Sequence, residues 1–120
     1  MATPSLLALT TMTPVSTGIA IGTSSTAVLN PTSGHAYTIK YLAFANKDTV
    51  ARTITCNLHS ATSGSGTAYA MCYQLSIPAN STYVLIGGGS VMNLGDDKSI
   101  YALAGTVSTI EAIISYNDCT

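Results

Sequence analysis

The strongest constraint in this sequence is a hydrophobic period of two. From Arg52 to Leu58, the side chains of Ile54, Cys56 and Leu58 fall on one side of an extended chain and Thr53, Thr55 and Asn57 on the other. Ala68 to Ile77 repeats the pattern over a longer span, with Tyr69, Met71, Tyr73, Leu75 and Ile77 set against Ala68, Ala70, Cys72, Gln74 and Ser76. Thr109 to Tyr116 sets Ile110, Ala112, Ile114 and Tyr116 against Thr109, Glu111, Ile113 and Ser115. Successive side chains of a strand point to opposite faces, so strict alternation marks a strand with one face buried. No segment sustains a 3.6-residue apolar period, and the chain is expected to hold little or no helix.

Weaker extended runs fill the gaps. Tyr37 to Ala45 is apolar with a slip of phase near Tyr41 and Leu42, as a β-bulge or burial on both faces would produce. Thr82 to Ile86, Ser99 to Leu103 and Ser25 to Leu29 read as short strands, and Pro4 to Thr11 and Ser16 to Ile21 as extended segments. Turn residues punctuate them: Pro31 to Gly34, Asn46 to Asp48, Ser60 to Gly66, Pro78 to Ser81, Gly87 to Gly89 and Asn93 to Lys98. Short strands at even spacing predict an antiparallel β-sandwich, jelly-roll-like or Ig-like. At 120 residues the chain is one domain.

Charge is scarce. Only 8% of residues are charged, against about a quarter in ordinary soluble proteins, and the formal net charge is −1. Four basic residues do not make an electrostatic footprint for nucleic acid. No run approaches the roughly 20 apolar residues that span a bilayer. All nine charged residues lie at Lys40 or beyond, so Met1 to Ile39 depends on Ser and Thr for its solubility. Charge is depleted where subunits meet, and a surface this neutral is weakly defended against self-association. We therefore divide the chain into an extended N-terminal arm over residues 1–24 and a single sandwich over 25–120. Subunit contacts are expected on the arm, at Leu6, Leu7, Leu9, Met12, Val15, Ile19 and Ile21.

Catalytic chemistry is not signalled. His35 and His59 sit at strand edges with no nucleophile motif near them. Asp96 and Asp97 read as turn residues bonding local backbone N–H groups, because a hard cation needs more oxygen ligands and Lys98 opposes one. Gly87-Gly88-Gly89 lacks the helix start and the Lys-Ser/Thr of a phosphate loop. Three cysteines, Cys56, Cys72 and Cys119, form neither a zinc pattern nor a paired disulfide framework, which fits folding in a reducing cytoplasm, although a Cys56–Cys72 bridge stays open. Tyr69 and Tyr73 read as core residues, with a sugar-stacking platform as the alternative. No catalytic, metal-binding or cofactor-binding residue is assigned.

Tyr41-Leu42-Ala43-Phe44-Ala45-Asn46 precedes Ala51-Arg52-Thr53-Ile54-Thr55. Ile77-Pro78-Ala79-Asn80-Ser81-Thr82 and Asn93-Leu94-Gly95-Asp96 follow, and Ser99-Ile100-Tyr101-Ala102 leads to Ile113-Ile114-Ser115-Tyr116. This order of turns in residues 35–117 resembles that of small β-sandwich virion proteins of tailed bacteriophages. The resemblance implies a non-enzymatic capsid decoration or cement protein that bridges capsid subunits, with a neck or tail component next. It implies partners in the chain itself, as a homotrimer, and in the major capsid protein or other virion proteins, with no nucleic acid and no membrane. The location it implies is the virion, after synthesis in the bacterial cytoplasm. A glycan- or receptor-binding sandwich module is the rival reading.

Overall fold

The computed structural model describes residues 11–120, and over them the chain is a two-layer β-sandwich. Nine strands follow in order: β1 (Met12–Ile21), β2 (Thr26–Leu29), β3 (Ala36–Asn46), β4 (Arg52–His59), β5 (Ala68–Ile77), β6 (Thr82–Ile86), β7 (Met92–Leu94), β8 (Ser99–Ala104) and β9 (Ile110–Cys119). One sheet runs β1-β9-β3-β6, with β7 pairing the start of β3, and the other runs β2-β8-β4-β5. All pairings are antiparallel. With the short β7 set aside, this is the eight-strand, two-sheet order of a jelly roll.

The strands expected from Ser16 onward are present and line the space between the sheets with apolar side chains, while the extended segment expected from Pro4 falls, up to residue 10, outside the described residues. Ile39, Leu42, Phe44, Ile110 and Ile114 from one sheet meet Ile54, Cys56, Ile77 and Ile100 from the other, all essentially inaccessible. The phase slip in β3 is a register shift between Ile39 and Tyr41 against β9 and another between Leu42 and Ala43 against β6. The extra β3 residue against β9 lets Ile39 and Leu42, three positions apart, both face the core. The glycine run between β6 and β7 does two jobs. Gly88 and Gly89 take positive φ values of 65° and 95°, and a Cβ on Gly87 would come within 2.8 Å of Val84.

Two expectations change. β7 was not anticipated, because Asn93 and Leu94 read as part of a turn. The proposed arm is, over residues 12–21, a full strand of the sandwich: β1 pairs with β9 from Met12↔Cys119 to Ile21↔Ile110. Its lack of charge hid the fact that ten of its residues already have a partner strand within the chain.

Candidate functional site: the uncharged sheet edges

A sandwich of two open sheets has four edges, here β1, β6, β2 and β5, each paired on one side only among the described residues. An edge strand presents unpaired N–H and C=O groups, and proteins usually guard such strands with charged side chains. None of these four carries a charge: they read MTPVSTGIAI, TYVLI, TAVL and AYAMCYQLSI. The nine charged residues sit elsewhere. Lys40, Arg52, Glu111 and Asp118 are on the inner strands β3, β4 and β9. Lys47 and Asp48 occupy the β3–β4 turn, and Asp96, Asp97 and Lys98 the β7–β8 turn.

The two long edges differ. β1 is exposed along most of its length, with Met12 62% accessible and Val15 and Ile19 half-buried. Ile21, at its end, is 2% accessible and belongs to the core, so it is withdrawn as a contact residue. Leu6, Leu7 and Leu9 lie outside the described residues. β5 bears Tyr69 and Tyr73, 60% and 70% accessible, in place of the core residues that alternation implied. At Tyr73 the cause is irregular pairing with β4, whose register shifts between Ile54 and Cys56 and again between Cys56 and Asn57. Gln74 takes φ 46°, and its N–H donates to the Thr55 hydroxyl at 2.9 Å. Met71, Cys72 and Leu75 then pack on the core while Tyr73 turns outward. Nothing in the one-dimensional pattern marks these shifts. The absence of charge was legible, but which strands would be edges was not.

The polar residues have structural partners. His35 Nδ1 lies 2.6 Å from Asp118 Oδ1, and its ring stacks toward Tyr37 with centroids 6.2 Å apart. His59 is 8% accessible, lies edge-on to Tyr101 at 5.6 Å, and has no hydrogen-bond partner on either ring nitrogen. Asp96 is fully buried and accepts the Gly34 N–H at 2.7 Å, tying two distant turns together where a local turn bond was expected. Asp48 accepts from the Arg52 side chain at 2.7 Å and from the Thr49 N–H, which holds its carboxyl below the ordinary range. Among the described residues no group of three or more His, Cys, Asp or Glu could hold a metal ion. A shallow groove of about 280 Å³ over β1 and β9 is lined by small and apolar residues plus Glu111, which pairs with Lys47 at 3.3 Å. It lacks the convergent polar groups of a ligand pocket.

No protein-family model and no curated protein matches the chain. A solved structure does. It comes from work describing Bacillus endospore appendages as a novel family of disulfide-linked pili. The TM-score is 0.52 at 14% identity, and the match covers 99% of this chain and 92% of that one. At that identity the likeness is one of fold. It corrects the tailed-phage reading, because the fold match is to a bacterial appendage protein and extends over 99% of the chain, where the phage resemblance covered residues 35–117. The capsid, neck and tail assignments, the capsid partner and the virion location are withdrawn with it. The reason is visible in the turns that carried the resemblance. Asn46, Asn80 and Asp96 hold the connections of a sandwich together, a task common to many unrelated sandwiches. Among the described residues neither histidine is placed in a catalytic set: His35 is engaged by Asp118, and His59 bonds through neither ring nitrogen.

Proposed function

We propose that this protein is a non-enzymatic structural subunit of an extracellular filament, a pilin-like protein whose principal partner is another copy of itself. The observation that carries this reading is the confinement of all nine charges to inner strands and turns, which leaves every edge strand neutral. A neutral edge joins an edge of a neighbouring copy through main-chain hydrogen bonds with no charge to desolvate, and so extends the sheet from subunit to subunit. The full-length fold likeness to a pilus protein supports the same assignment. Met12, Val15 and Ile19 on β1 remain contact residues within it.

Electron microscopy of the concentrated, purified chain tests the proposal. Wild-type protein is expected to form filaments. Thr17→Lys in β1 combined with Val84→Lys in β6 is expected to keep the fold, by circular dichroism, and abolish them. A wild-type chain that stays monomeric at every concentration overturns the reading.

The exposed Tyr69 and Tyr73 favour a second reading, a glycan- or receptor-binding module, because aromatic rings stack on sugars. Glycan-array binding by the wild type that is lost in the Tyr69→Ala, Tyr73→Ala double variant would support it.

A further inference from the structure

Cys56 lies in the middle of β4 and is fully buried, and Cys72 stands directly opposite it on the edge strand β5. Residues opposed across an antiparallel pair have Cα atoms about 4.5–5.5 Å apart. A disulfide needs about 4.4–6.8 Å. Opposition alone is insufficient if the side chains diverge, and the register shifts on both sides of this pair. Packing settles their direction: Cys72 joins Met71 and Leu75 against the same core cluster that contains Cys56. Cys119 is far from both in the pairing scheme. It lies on β9 in the other sheet, opposite Met12 and Ala36, with its Sγ 3.8 Å from the Asn117 carbonyl.

We propose that Cys56 and Cys72 form a disulfide site, closed by exchange with a low-molecular-weight disulfide, that staples the edge strand β5 to β4. The site is a property of one chain and does not depend on the filament reading. β5 is held on one side only, so it can make the small approach that closure requires.

The two thiols have different roles. Burial, with the nearby Cys72 adding to it, pushes the Cys56 thiol up to about 12. Cys72 is raised by partial burial, while the Cys56 backbone amide pulls the other way. Cys72 is therefore the point of entry. It loses its proton to solvent, and its thiolate attacks one sulfur of the small disulfide. That S–S bond breaks, one small thiolate leaves and is protonated, and a mixed disulfide remains on Cys72. Cys56 then gives its proton to water and attacks the Cys72 sulfur, expelling the second small thiolate, which is protonated in turn. The protein dithiol is oxidised by two electrons and the small disulfide is reduced to two thiols.

The test uses the full chain, purified reduced and incubated with oxidised glutathione in mildly alkaline buffer without denaturant. Free thiols are then alkylated after unfolding and the chain is mapped without reduction. The expected result is one linked pair of peptides carrying Cys56 and Cys72, a chain mass lower by two hydrogens, and Cys119 alkylated. Cys56→Ser is expected to stop at a glutathione adduct on Cys72. A wild-type chain that stops at the same adduct with Cys56 still free overturns the proposal. So does linkage through Cys119, or a native chain that stays fully reduced under conditions that oxidise it once unfolded.

Discussion

Asn46 does more to shape this molecule than any of the residues that suggested chemistry. Its side-chain amide lies 2.9 Å from the Val50 and Ile77 carbonyls and 3.3 Å from that of Pro78, and its Oδ1 accepts the Asp48 N–H at 2.9 Å. Its backbone N–H donates to Ser81, and the Asn80 N–H donates to Asp48. One buried side chain thus joins the β3–β4 turn to the β5–β6 turn, across the two sheets. Asn46→Ala strands those acceptors without a donor and is expected to cost about 2–3 kcal/mol, read as a lowered denaturation midpoint at unchanged slope. Asn46→Asp, which accepts but does not donate, is expected to cost at least as much near neutral pH. The sequence marked Asn46 as a turn residue. Its long reach came from residues 31 and 32 positions away, a separation that turn chemistry alone does not encode.

Among the elements, β1 and β5 show how far periodicity carries. The bounds of β5 and β6 were read from the sequence as they stand in the structure, and those of β4 and β8 to within one residue at one end. Alternation reports a local backbone property, and a strand keeps it in any sheet. The facing of β5 was not legible, since an inserted residue reverses the side chains that follow it until a second insertion restores them, and the register against β4 shifts twice. Tyr73 and Cys72 consequently exchanged the positions that strict alternation assigned them. β1 was missed as part of the sandwich because its sequence alternates weakly and only Ile21 is buried. Deleting residues 12–21 is expected to remove one of β9's two partner strands and a core isoleucine together. The loss should exceed the roughly 2–5 kcal/mol of truncating one buried isoleucine. Urea titration of the truncated and full-length chains checks this, and equal stability would show that β1 contributes nothing to the fold.

For the whole molecule, the distribution of charge matters more than its amount. Ion pairs such as Arg52–Asp48 at 2.7 Å and Lys47–Glu111 at 3.3 Å lie within the chain, on turns and inner strands. Contacts made through the edges therefore involve backbone hydrogen bonds and apolar burial. Salt screens exposed charges over about 8–10 Å but leaves such contacts intact. Filament formation is expected to persist or strengthen from low to high salt, measured by light scattering and microscopy at fixed protein concentration. Dissolution at high salt would assign the contacts to ion pairs instead. The sequence by itself determined the class of fold, the approximate strands and the scarcity of charge, because each follows from neighbouring residues or from composition. Tertiary structure alone decided which strands became edges, that Ile21 is core and Tyr73 surface, and that Cys56 faces Cys72. Those outcomes depend on strand pairing and register, which join residues far apart in the chain and are recorded in no single stretch of it.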